Sequence, residues 1–258
     1  MTIETIQFII LIPAATLSLI AGIVLILKGR KKFDKGMISL GFSYIMMICL
    51  FVIWGFRLVP LFVNYTIMLF TYSGMNFFTK FTFHKNQNRG FKWVMIGTVF
   101  NYFIQVIPAI RGYYNYDEGF FDSYLGRALD NTFSITWAVI VFGWLAFSGI
   151  RSYNQIKNKK IQPWIKKRLL LVIYSAIINM FVNVPNLIDE LTNRIYHKYV
   201  FYIQMIMLVS IMILQFLAWV MPKGLKKLFN HGYIKNKNEI ELTEEEIINQ
   251  MKERVENK

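Results

Sequence analysis

Residues 169–197 read LLLVIYSAIINMFVNVPNLIDELTNRIYH. The first half is continuous apolar chain of the kind that crosses lipid. The second half adds Asn179, Asn183 and Asn186, a proline at 185 and the acidic pair Asp189–Glu190. A run of about 20 apolar residues spans the hydrocarbon core of a bilayer. Polar side chains within such a run must face protein or water, because hydrocarbon offers them no partner. This stretch therefore implies both a membrane helix and an interior for it to face.

Runs of the same kind recur along the chain. We read seven spans, at Ile6–Leu27, Gly36–Phe56, Leu58–Phe78, Trp93–Ile110, Asn131–Ile150, Leu169–Ile188 and Tyr199–Met221. Hydrophobic residues make up 55% of the 258, too many for an ordinary soluble domain. The second and third spans are separated only by "FRLVP", a tight turn in which Pro60 suits a helix start.

The formal net charge is +14. On a soluble chain that would suggest nucleic acid, but here the cations follow the connections, so no nucleic-acid partner is expected. Alternate connections hold five, four, seven and eight Lys and Arg, 24 in all; the opposite set holds Arg57, Arg111, Arg127, Arg194 and Lys198. Cytoplasmic loops carry the excess of Lys and Arg. The fold class read from the sequence is an all-α integral membrane protein: a seven-transmembrane helix bundle with its N-terminus outside and its C-terminus in the cytoplasm, multi-pass in the cell membrane. MTIET lacks the basic start of a cleaved signal, so the first run is expected to be retained. The single cysteine, Cys49, reads as packing inside a span.

At 100° per residue, Ser175, Asn179, Asn183, Asn186, Glu190, Asn193 and His197 fall within roughly 40° of one direction. Pro185 removes a backbone hydrogen bond and crowds the carbonyl of Phe181, so a hinge is expected there. Partners of similar depth are Asn64 and Thr66, then Thr98, Asn101 and Gln105, then Asn131, Thr132 and Thr136, and Gln204. Under the topology above most of these lie in the outer half; Asn76 and Gln215 are the exceptions.

Two readings follow. In one, the amides join helices to each other. In the other, Asn64, Asn101, Gln105, Asn179, Asn183, Asn186, Glu190 and Gln204 bind a small hydrophilic or amphiphilic ligand in an outward polar cavity, and Asp189 and Glu190 at its mouth favour a cation.

No chemistry of another class is visible. The histidines, His84, His197 and His231, all fall outside the spans, so neither haem nor a histidine metal site is implied. The last span has no lysine for retinal. No P-loop and no serine-hydrolase motif is present. No enzyme and no cofactor is expected.

On the basic side, RSYNQIKNKKIQPWIKKR (151–168) interleaves Ile161 and Trp164 with cations and is expected to lie on anionic inner-leaflet headgroups. Residues 1–222 form the membrane domain and 223–258 a cytoplasmic tail. The tail opens with an amphipathic piece in which Leu225, Leu228 and Phe229 are expected to dip into the interface. It ends in an acidic helix capped by Thr243 and Glu246. Ile248, Met251 and Val255 start a seam within 243–257 that suits a homodimer or a cytoplasmic protein partner.

Outer polar cavity, seven-helix body, basic inner face and helical tail together make a layout similar to the seven-helix input modules fused to bacterial and archaeal kinases. The resemblance is one of architecture. It implies a receptor-like sensor in which a ligand biases the sixth helix and the tail relays the change. The competing functions are a small-solute transporter or channel, and a structural membrane assembly protein.

Overall fold

A computed structural model describes residues 3–56, 60–84, 89–114, 123–158 and 161–231. These form α1 (Ile3–Lys32), α2 (Lys35–Phe56), α3 (Leu61–Phe83), α4 (Arg89–Tyr113), α5 (Tyr124–Ile156), α6 (Pro163–Phe181), α7 (Val184–Leu191), α8 (His197–Val220) and α9 (Lys223–Phe229). No strand occurs among the described residues. Neighbours in sequence pack as neighbours in space from α1 through α6, and α8 closes the ring by meeting both α1 and α6. Helix α3 lies inside the turn of the bundle, against α2, α4 and α5.

Among the described residues, five stretches are long and apolar enough to cross a membrane: Ile12–Lys32, Gly90–Tyr113, Tyr124–Ile156, Pro163–Leu191 and His197–Val220. Their outer faces carry exposed Leu19 and Ile23, Ile96, Phe100 and Phe103, and Ile203 and Ile206, a surface for acyl chains. Exposed hydroxyls on such faces are satisfied within their own helix. Thr16 donates to Ile12 O and Ser210 to Ile206 O. The expected second and third spans are not among these five. Helix α2 is apolar over its described side chains, Lys35–Leu50, and the helix itself continues to Phe56. Helix α3 carries buried Thr71, Asn76 and Thr79. Packed on three helices, α3 shows lipid little surface, so nothing requires it to be apolar throughout.

Close helix approach on this side depends on residues without side chains. A Cβ on Gly41 would lie 2.8 Å from Gly22 O, and one on Gly74 would meet Ser43 Oγ and lie 3.0 Å from Ser39 O. Small residues let α1, α2 and α3 come this near. Across the bundle, the centre is aromatic. Trp137, wholly buried, meets Tyr72 edge-on at 5.0 Å, and Phe78 meets Trp219 at 4.9 Å.

Several expectations change. Helix α5 starts at Tyr124, not near Asn131, because Ser123 Oγ accepts from Gly126 N at 2.9 Å and caps it. Thr132 and Thr136 face outward and bond their own carbonyls at Ala128 and Thr132. Cys49 is exposed on α2 and is not a packing residue. Ile161 and Trp164 do not lie on headgroups. Both are buried with Ile156, Ile165 and Met221, because α9 folds back and covers them with Leu225 and Phe229. Of the three apolar residues expected to dip into lipid there, only Leu228 stays exposed. The acidic helix at 243–257, Arg57 and most of the outer aromatic loop lie outside the described residues.

Candidate functional site

The expected sixth span is two helices. Helix α6 ends at Phe181 and α7 begins at Val184, so the chain breaks at Val182–Asn183, just ahead of Pro185. Pro185 has no N–H for Phe181 O and its ring crowds that carbonyl. The last turn of α6 tightens, with Val182 N reaching Asn179 O at 3.4 Å. A break at this depth strands carbonyls, and Gln204 of α8 meets one of them: its Nε2 donates to Val182 O at 3.1 Å.

The break opens a cavity of about 370 Å³. Its wall is built by Met47 and Leu50 of α2, the first half of α3, α5 between Asp130 and Phe142, the end of α6, the start of α7 and the first half of α8. Asn64, Asn179, Asn183, Asn186 and Gln204 line it. So do Asp130, Asn131 and Ser134 of α5, and the aromatics Tyr65, Tyr72, Phe142 and Phe201. Tyr72 and Phe142 pack edge-on at 5.6 Å and stand between the cavity and buried Trp137.

The amides divide into two classes. Asn179 Nδ2 donates to Ser175 O at 3.1 Å. Gln105, fully buried, donates to Asn101 Oδ1 at 3.4 Å and accepts from Ser134 at 3.2 Å. Neither Asn101 nor Gln105 lines the cavity; both sit behind Ser134 as packing. Asn76 Nδ2 donates to Thr98 at 2.9 Å and the Tyr44 hydroxyl donates to Gln215 at 2.6 Å, so these too bond between helices, although Asn76 Oδ1 is buried without a partner among the described residues. Asn183 and Asn186 differ. Half-buried on the cavity wall, their side chains have no hydrogen-bond partner among the described residues. Interhelical joining and an open polar wall are therefore both present, at different positions.

The charges also move from where they were expected. Glu190 does not line the cavity. It accepts from Arg127 Nε at 2.9 Å and from Arg194 Nη2 at 2.6 Å, which ties α7 to α5. Asp189 is buried and meets His197 Nδ1 at 3.0 Å. Both mouth acids are engaged by cationic or ionisable partners. The acid in the cavity wall is Asp130, whose Oδ1 accepts from the buried Tyr65 hydroxyl at 2.7 Å. Sequence reasoning passed over Asp130 because the apolar window began one residue later. The signal was available: a helix continued back to the Ser123 cap puts Asp130 and Ser134 on one face, four residues apart.

At the opposite end of α6, Trp164 contacts α9. Lys226 Nζ lies over its ring at 4.1 Å, and its backbone N–H donates to Asn230 Oδ1 at 3.3 Å. One helix thus runs from the cavity to the chain's last described helix. No His, Cys, Asp and Glu group able to hold a metal occurs among the described residues. A scan against protein-family models and searches of curated proteins and of solved structures found no match.

Proposed function

We propose that this chain is a non-enzymatic, receptor-like sensor of seven transmembrane helices, N-terminus outside and C-terminus cytoplasmic, in the plasma membrane. The cavity opens to the outside and binds a small polar solute, and the cytoplasmic tail relays its occupancy. The observation that carries this reading is the unpartnered pair Asn183 and Asn186 on the cavity wall beside a helix break. Two half-buried amides that face a cavity without protein partners are open to a solute or to water.

The orientation rests on the Lys and Arg asymmetry, which puts the cavity end on the cation-poor side. A ligand shifts a conformational equilibrium only by its difference in affinity for the two states. Here that difference would arise at Val182–Asn183, where α6 and α7 change direction, with Pro185 as hinge. Helix α6 would carry the change to Trp164, Lys226 and α9. Residues 243–257 are the proposed handle for a homodimer or a cytoplasmic partner, and the remaining basic inner face meets anionic lipid.

Transport is less well supported. The cavity is backed by Tyr72 and Phe142, with Trp137 against Tyr72, and the deeper amides Asn76 and Gln215 bond to Thr98 and Tyr44 instead of lining a path. The test is a thermal-stabilisation screen of water-soluble metabolites on the full chain in nanodiscs. A compound that stabilises the wild type but not Asn183→Leu/Asn186→Leu, and that does not cross proteoliposomes holding the protein, is the expected result. Accumulation of that compound inside the vesicles would replace sensing with transport.

A further inference from the structure

We propose that the cavity takes an organic ammonium cation, with Asp130 as its counter-ion. This rests on the reading above, in which the cavity is a binding site open to the outside, and it names the chemical class of what binds.

Among the described residues the wall carries one carboxylate, Asp130, and no Lys, Arg or His. The other described acids on α7 have partners: Glu190 meets Arg127 and Arg194, and Asp189 meets His197 through Oδ2. No ion pair to Asp130 occurs among the described residues. Tyr65, only 3% exposed, donates to Oδ1 at 2.7 Å and fixes the carboxylate against the wall. Oδ2 makes no hydrogen bond among the described residues. Asp130 is half-buried, so its carboxylate is partly desolvated, and a cation arriving with the ligand offsets that cost.

The rest of the wall narrows the class. Tyr65, Tyr72, Phe142 and Phe201 line the same cavity as Asp130. Aromatic faces attract cations, and aromatic cages are a recurrent way to hold quaternary ammonium groups. A bare metal ion would want a shell of about six or more oxygens at short range, whereas this wall alternates amides with aromatics and methionines. A volume near 370 Å³ also suits a small organic molecule better than a single ion. Asn183 and Asn186 remain to accept or donate at the far end of such a ligand.

The test is protection from thiol labelling. Ser134→Cys, on the cavity wall one turn from Asp130, is introduced with Cys49→Ser, in the full chain in sealed, right-side-out vesicles. A membrane-impermeant maleimide is added outside with tetramethylammonium, its neutral isostere tert-butanol, or the anion pivalate, at matched concentration. The expected result is that tetramethylammonium alone slows labelling, by about tenfold. That protection persists in Asp130→Glu and disappears in Asp130→Asn, with labelling itself unchanged in both. Labelling that all three probes slow equally, or that pivalate slows most, overturns the ammonium class and leaves the outward cavity standing. Protection that survives Asp130→Asn removes Asp130 as counter-ion and overturns the proposal. No labelling from outside removes the outward cavity, and the proposed function with it.

Discussion

Gln204 donates its side-chain amide to the carbonyl of Val182 at 3.1 Å, across the gap between α8 and the end of α6. The bond exists because of Pro185, which prevents α6 from continuing and leaves carbonyls at the break without helical donors. Replacing Gln204 by Leu should strand Val182 O and cost about 1–3 kcal/mol. The cost should shrink in Pro185→Ala, where the helix can close. A double-mutant cycle on thermal unfolding in detergent measures this coupling; additive effects would mean that the proline and the glutamine act independently.

The amides make a second, opposite forecast. Gln215 Oε1 accepts from the buried Tyr44 hydroxyl at 2.6 Å. Gln215→Met should leave that hydroxyl unpaired and destabilise by about 1–3 kcal/mol. Asn183→Leu breaks no hydrogen bond, so its effect should stay within about 0.5 kcal/mol. Melting curves of the two variants side by side are sufficient. A larger loss for Asn183→Leu than for Gln215→Met would assign Asn183 a packing role.

Much of this arrangement is legible in the chain before any coordinates. The apolar runs announce membrane helices, and the spacing of Asn179, Asn183 and Asn186 puts them on one face, where all three do line one cavity. Pro185 marks the break to within a few residues. What periodicity does not carry is partner choice. Asn101 and Gln105 have the same depth and residue type as the cavity amides, yet they bond each other and Ser134. Glu190 lies on the polar face, but the two arginines that engage it come from α5 and from the turn after α7, a meeting set by tertiary packing. Trp164 in a basic loop resembles a headgroup anchor until α9 folds over it. Local pattern sets the face a residue takes; the neighbouring helix decides what that face meets.

Gly74 illustrates the same dependence in the core. Its hydrogen allows α3 to press on Ser39 and Ser43 of α2, and an added Cβ would meet Ser43 Oγ and lie 3.0 Å from Ser39 O. Gly74→Ala should therefore destabilise by about 1–3 kcal/mol through overpacking. Ser43→Ala, which removes the nearer atom, should recover part of that loss in the double variant. If Gly74→Ala melted at the wild-type temperature, the close approach of α2 and α3 would not hold.

The last forecast concerns pH at the end of the bundle remote from the cavity. His84 follows α3 and is buried, its Nε2 lying 2.7 Å from Ser148 Oγ and its ring stacked on Trp144 at 5.4 Å. Ser148 already donates to Trp144 O at 2.7 Å, so the imidazole must be the donor, as the Nε2–H form. Burial pushes the imidazole pKa down from its ordinary value, and the nearby Arg151 pushes in the same direction. The unfolded chain then binds a proton more readily than the folded one. Stability is complete above the unfolded value of about 6.5 and declines as pH falls through the lower folded value. His84→Asn keeps a donor for Ser148 and removes the titration. Between neutral pH and pH 5 the wild type should lose more melting temperature than His84→Asn, which should be the flatter of the two. Parallel curves for the two proteins over that interval would show that His84 is not the group being protonated.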